Sequence, residues 1–158
     1  MSSTAAPTPG SGPPERARRH AMGLLARADA GALARLAAAF GDLPEAELVR
    51  EPEIGTVMVR GRAGGAGEPF NLGEITVTRC SLRLAGGEVG HAWVEGRDRA
   101  KAHSAALFDA LLQTQRAGEV RARVLAPLEG AEREKAGKRA SRAETTRVEF
   151  FTMARGEE

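Results

Sequence analysis

Phe70-Asn71-Leu72-Gly73-Glu74-Ile75-Thr76-Val77-Thr78-Arg79-Cys80-Ser81-Leu82-Arg83-Leu84-Ala85-Gly86-Gly87-Glu88-Val89-Gly90-His91-Ala92-Trp93-Val94 decides the fold. Alternating apolar and polar residues predict a long strand over Phe70 to Leu84, since successive side chains of a strand point to opposite faces. Ala85-Gly86-Gly87-Glu88 supplies the flexible residues of a tight hairpin connection. Val89 to Val94 is the return strand, with Val89, His91 and Trp93 on one face. The first strand carries a phase slip. Ile75 and Val77 lie on one parity, and Cys80, Leu82 and Leu84 on the other. One extra residue near Thr78 or Arg79 would realign them, so a β-bulge is expected there, with two shorter strands as the alternative.

Working outward, Asp98 is placed to cap a helix running from about Arg99 to Gly118. Its core stripe is Ala105, Phe108, Leu111 and Leu112, widened by Leu107. Upstream, Ala46 to Ile54 and Thr56 to Arg60 are strand segments on either side of a bend at Glu53-Ile54-Gly55. Gly61 to Gly67 is a glycine-rich connection. Two short helices come first. Met22, Leu24, Leu25 and Ala26 mark one. Leu33, Leu36, Ala37 and Phe40 mark the other, with Asp29 as its N-cap and Gly41 and Pro44 as its stop. They form a helical hairpin. Residues 1–14, all small or Pro-rich after Met1, read as a disordered leader. The fold class is therefore α+β: an N-terminal helical hairpin, a mainly antiparallel β-sheet, a packed helix and an extended C-terminal arm. One α+β domain spans 15–118 and the arm spans 119–158. In the arm, Pro127 interrupts the apolar run of Val120, Val124 and Leu125. Glu129 to Glu144 is charged with both signs mixed, and as a helix it would expose most of its surface. Val148, Phe150, Phe151 and Met153 close it with an apolar patch suited to partner docking.

Composition narrows the function. The 158 residues carry a net charge of +2, and aromatics make up only 4%. A nucleic-acid binder concentrates basic residues on one face with stacking aromatics, and this chain does neither. The hydrophobic fraction of 42% is rich in alanine, so the core is expected to be thin and to gain from a partner's cover. The single cysteine, Cys80, excludes an intramolecular disulfide and a cysteine zinc site, and it suits the cytoplasm. No apolar stretch approaches the ~20 residues that span a bilayer.

Arg62-Ala63-Gly64-Gly65-Ala66-Gly67-Glu68 is the candidate anion-binding loop. Gly64, Gly65 and Gly67 let backbone N–H groups converge on a phosphate or phosphonate, with Arg62 beside them. The loop lacks the Gly-Lys-Ser/Thr ending of a P-loop and the strand-to-helix setting of a dinucleotide fingerprint, so a flexible strand connection is the plainer account. Arg79, re-aimed by the expected bulge, is a further anion contact; a solvated face with cross-strand ion pairs is its plainer account. His91 and His103, with Glu74, Glu95 or Asp98, offer titratable groups for acid–base or metal chemistry, though no spacing fixes them together. In Gly96-Arg97-Asp98 the glycine ends a strand and the aspartate caps a helix. That leaves Arg97 for an anion or partner. His91, Arg97 and Asp98 are thus the candidate catalytic set. No metal set emerges, and Cys80 reads as a small core residue.

Taken in order, Gly64-Gly65-Ala66-Gly67-Glu68-Pro69-Phe70-Asn71-Leu72-Gly73-Glu74, Thr76-Val77-Thr78-Arg79-Cys80 and Gly90-His91-Ala92-Trp93-Val94-Glu95-Gly96-Arg97-Asp98 form a pattern. Asp109-Ala110-Leu111-Leu112-Gln113 and Val148-Glu149-Phe150-Phe151-Thr152-Met153-Ala154-Arg155-Gly156 continue it. The pattern resembles the PhnG family, the G subunit of the bacterial carbon–phosphorus lyase system, over about Glu15 to Gly156. The resemblance implies a subunit that works with H, I and L proteins to join a phosphonate such as methylphosphonate to C1 of the ATP ribose, displacing adenine. The implied product is α-D-ribose 1-methylphosphonate 5-triphosphate. It also implies a symmetric core of G, H, I and J chains. There the nucleosidase chemistry belongs mainly to I, and carbon–phosphorus cleavage to J, a radical iron–sulfur enzyme. This chain lacks the clustered cysteines for such a cluster. The expectation is a scaffold that contacts I most directly, with a second G chain a further partner. It binds no cofactor alone, and ATP enters as substrate of the complex. Direct catalysis through His91, Arg97 and Asp98, or a stand-alone anion-binding module, are the alternatives.

Overall fold

A computed structural model describes residues 15–145. The elements in chain order are α1 (Glu15–Arg27), α2 (Ala30–Phe40), β1 (Ala46–Arg62), β2 (Pro69–Leu84), β3 (Val89–Glu95), α3 (Arg99–Leu111), α4 (Ala117–Val120) and α5 (Ala126–Thr145). A π-helical turn at Arg121–Leu125 joins the last two. The three strands form one antiparallel sheet in the order β1-β2-β3, with helices packed on one face. The class is α+β, as the pattern of elements indicates. The apolar C-terminal patch expected at Val148, Phe150, Phe151 and Met153 lies outside the described residues.

Local chemistry sets the helix starts. The Asp29 side chain accepts from Ala32 N–H at 2.9 Å, and Asp98 from Lys101 N–H at 2.8 Å, so each satisfies a donor that the first turn leaves open. Gly41 ends α2 at φ +82°, a left-handed conformation that glycine adopts without a Cβ penalty. Arginines hold carbonyls at that end and just past it. Arg116 donates to Asp42 O at 2.7 Å, and Arg123 donates to Ala39 O and Phe40 O. Both guanidinium groups also lie over the Phe40 ring, whose edge meets Phe108 at 5.5 Å. Cationic side chains at a helix C-terminus complement its dipole.

The core face of the sheet is Thr78, Cys80, Leu82 and Leu84 of β2 with Gly90, Ala92 and Val94 of β3. Against it lie Ala102, Ala105, Ala106, Phe108 and Ala110 of α3, then Leu25 and Leu33 of the first two helices. Fully burying each larger apolar side chain contributes about 1.5–3 kcal/mol. The alanines have a steric role here. A Cβ added at Gly90 would lie 2.0 Å from Ala106 O and 2.8 Å from Ala110 Cβ. Helix and strand therefore touch backbone to backbone, which larger residues would forbid.

Three expectations need correction. The bulge is not at Thr78 or Arg79, because the β2–β3 ladder runs unbroken from Val77 to Arg83. The irregularities face that level from β1. Val49 is extra between the Leu48–Leu82 and Arg50–Ser81 pairs, and Glu51 and Pro52 together oppose Cys80; a third, at Leu72, lies further along β2. Proline at an edge bulge loses no ladder bond. Ile75 and Val77 simply face the other side of the sheet. Nor does β1 divide at Glu53-Ile54-Gly55; it pairs with β2 from Ala46 to Arg62. The capped helix ends at Leu111 rather than near Gly118. Beyond it, Val120, Val124, Leu125 and Leu128 are buried in the same core, so the chain from 119 onward starts inside the body. Pro127 follows closely on the π-helical turn, and the chain stays helical through it.

Gly90→Ala is expected to lower unfolding stability by about 3 kcal/mol, the upper range for overpacking, because neither contact is a side chain that can rotate away. Urea unfolding followed by circular dichroism checks it; an unchanged midpoint would mean that α3 does not lie this close to β3.

Candidate functional site

Sheet geometry separates the candidate residues. Arg62, Gly64, Gly65 and Gly67 sit at the turn between β1 and β2, the far end of the hairpin. Gly64 and Gly65 are left-handed at φ +60° and +80°. The turn closes on itself: Gly67 N–H donates to Ala63 O at 2.9 Å, and Arg62 Nη1 to Gly67 O at 3.0 Å. Arg79 is ten residues along β2 from Pro69, roughly 33 Å at ~3.3 Å per residue. It does not join the loop.

Arg79 instead lies on the outer face of the sheet, paired across the ladder with both neighbours. It donates to Glu53 Oε1 at 2.6 Å, and its guanidinium sits 5.5 Å from the Trp93 ring centre. Glu53 also accepts from Arg50 at 2.9 Å. Hydrogen bonds from Arg79 first and Arg50 second hold the Glu53 carboxyl below the usual carboxylate range. The cross-strand ion pairing weighed for Arg79 is thus present.

His91, Arg97 and Asp98 follow one another along β3 and the turn after it. The His91 ring shares a 2.8 Å hydrogen bond with Ser81 Oγ, its cross-strand partner, on the exposed face. Asp98 is engaged as the α3 cap. Arg97 is exposed and makes no ion pair among the described residues. His103 lies in α3, and His20 contacts Glu129 at 3.1 Å. No group of three or more metal-ligating side chains gathers among the described residues. No described helix is long and apolar enough to cross a membrane. Cys80 is buried, its thiol donates to Arg50 O at 3.6 Å, and burial pushes it above the usual thiol range.

The most constrained polar cluster is one the sequence reading did not single out. Asp109, fully buried in α3, accepts from Arg18 Nε at 3.0 Å and Nη2 at 2.7 Å. It also accepts from the backbone N–H of His91 at 2.9 Å. Arg18 Nη2 and Gln113 Nε2 both donate to Val89 O, at 3.3 and 2.8 Å. The hydrogen bond to Asp109 raises the already high Arg18 pKa. Two backbone groups of the edge strand β3, Val89 O and His91 N–H, are thereby taken up by side chains. A carboxylate among Phe108, Ala110 and Leu111 was the available signal, since a charge at a core position requires a partner.

The comparisons with known proteins agree with one another. The family model for phosphonate metabolism protein PhnG matches residues 16–156. A protein of Rhizobium meliloti (strain 1021), described as alpha-D-ribose 1-methylphosphonate 5-triphosphate synthase subunit PhnG, is 50% identical over 145 residues. That alignment covers 89% of this chain and 90% of the relative.

Cys80 in the folded chain is expected to react with a thiol reagent at neutral pH at least about a hundredfold more slowly than in urea, because burial limits both access and thiolate. Absorbance-based thiol titration reads this directly; equal rates would place Cys80 outside the core.

Proposed function

Since the chain belongs to the PhnG family of phosphonate metabolism proteins, we propose that it serves as a scaffold subunit of an α-D-ribose 1-methylphosphonate 5-triphosphate synthase. The proposed reaction of the assembled enzyme joins a phosphonate to C1 of the ATP ribose and releases adenine. Its proposed partners are the H, I, J and L subunits, with I the most direct, and a second copy of this chain. The proposed setting is the cytoplasm, with ATP as substrate of the complex and no cofactor held by this chain alone.

The observation that carries the scaffold reading is the dispersal of the polar candidates. Catalysis requires groups held within hydrogen-bonding reach of one reacting atom. Here the His91 ring is bonded to Ser81, Asp98 caps α3, and Arg79 is paired with Glu53, while the glycine turn lies at the far end of the hairpin. The relative's description as a synthase subunit supports partner chains for this one too. We assign Arg62, Gly64, Gly65, Gly67 and Arg79 no more than auxiliary anion contacts, and Val148, Phe150, Phe151 and Met153 a docking role.

The test is reconstitution with the other subunits. Deleting 148–158 is expected to release the chain from the complex, whereas His91→Ala leaves the synthase rate nearly intact. A loss beyond about a hundredfold for His91→Ala, with the complex still assembled, would instead make His91 catalytic. Calorimetric heat from the isolated chain with millimolar ATP or methylphosphonate would favour a stand-alone binder.

A further inference from the structure

The sheet is not uniformly covered. β3 pairs with β2 only from Val77 to Arg83, and at Gly96 the chain turns away. Gly96 N–H donates to Thr76 O, and Thr78 Oγ1 donates to Gly96 O. Beyond Val77, β1 and β2 continue alone as a two-stranded ribbon from Thr56 and Thr76 to the glycine turn. An isolated two-stranded ribbon is marginal in water.

This ribbon exposes large apolar side chains on both faces. Met58, opposite Glu74, extends the core face and is 50% exposed; Ile54, at the root of the ribbon opposite Thr78, is 40% exposed. Ile75, opposite Val57, lies on the outer face at 40%, and Phe70 lies across Gly61. Leu72, the bulged residue, is 66% exposed. Ile54 to Val59 and Pro69 to Gly73 contain no charged residue. Charged edges are the usual protection against unwanted pairing, and these segments lack it.

We propose that the ribbon is a plug that inserts between two apolar walls of a cleft on a different polypeptide of the synthase. The inference rests on the scaffold reading above and names the element that docks. Size and symmetry choose the occupant. Eight residues beyond Val77 make a ribbon about 26 Å long and roughly 10 Å wide. One face then offers roughly 260 Å², and a standard interface takes about 800 Å² from each partner. A flat partner on one face falls well short, whereas walls on both faces plus the two edges approach the requirement. A second copy pairing edge to edge would satisfy backbone groups and leave both apolar faces wet.

The test uses Met58→Cys and Ile75→Cys, one on each face, in the full chain. Cys80 is buried and contributes little background. Each variant is labelled with a maleimide as the isolated chain and inside the purified complex. Both are expected to react freely alone and about a hundredfold more slowly in the complex, the suppression that exclusion of reagent from a packed interface produces. Protection of one face only would mean flat docking and overturn the cleft. Protection of neither would leave the ribbon without an occupant. Slow labelling already in the isolated chain would point to a second copy or to the chain's own C-terminal segment. If the wild-type chain fails to co-purify with the other subunits, the scaffold reading falls, and the plug with it; assembly with unprotected cysteines defeats the plug alone.

Discussion

A carboxylate with no access to water holds this structure together. Asp109 would be costly to bury alone, since breaking a buried pair by removing one partner is destabilising by about 3–5 kcal/mol. It is matched by a two-pronged guanidinium from α1 and a backbone amide from β3. Of the three elements α1 comes from a distant part of the chain, Arg18 standing 91 positions before Asp109, while β3 and α3 are consecutive. One polar cluster therefore fixes where α1 and α3 lie on the sheet. Beside it, Gly90 lets the α3 backbone approach the strand, and the alanines of α3 keep that approach open along the helix. The alanines of α3 thus serve close layering.

The same cluster decides what stays uncovered. With α1 and α3 anchored on β3, the helical layer covers the sheet only about as far as β3 reaches. Its side chains also occupy the Val89 carbonyl and the His91 amide, so an added strand would have to displace them along this stretch of the β3 edge. Past Val77 neither helix nor third strand remains, and the β1–β2 ribbon extends with apolar residues on both sides. A self-sufficient body and a dependent extension suit a subunit whose work is to hold other chains.

What the sequence disclosed was local. Asp29 and Asp98 are legible as caps because a cap depends on a few neighbouring residues. The Ala85–Glu88 turn and the stripe of Ala105, Leu107, Phe108 and Leu111 follow the same logic. The phase slip at Thr78 was real but misassigned: assuming one buried face for the whole of β2 forced a bulge into it. In fact Ile75 and Val77 lie on the opposite face of the sheet, Val77 buried there, and the irregularities opposite lie in β1, at Val49 and at Glu51-Pro52. Register between strands is a long-range property, and one strand's alternation does not contain it. The role of Asp109 went unread for a related reason, since its partner Arg18 stands far away in sequence. Among the site candidates, His91, Arg79 and the glycine turn were chosen by residue type. Arg79 and the turn stand about ten residues apart along β2, too far to share one ligand.

Native-state amide hydrogen exchange, compared between the isolated chain and the assembled complex, measures this division most directly. In the isolated chain, the His91 amide and the α3 amides should exchange only through global unfolding, while residues 56–62 and 69–76 exchange through far easier local opening. In the complex those ribbon amides should become slow. A ribbon as protected as the body in the isolated chain, or a His91 amide that exchanges as fast as the glycine turn, would contradict the account.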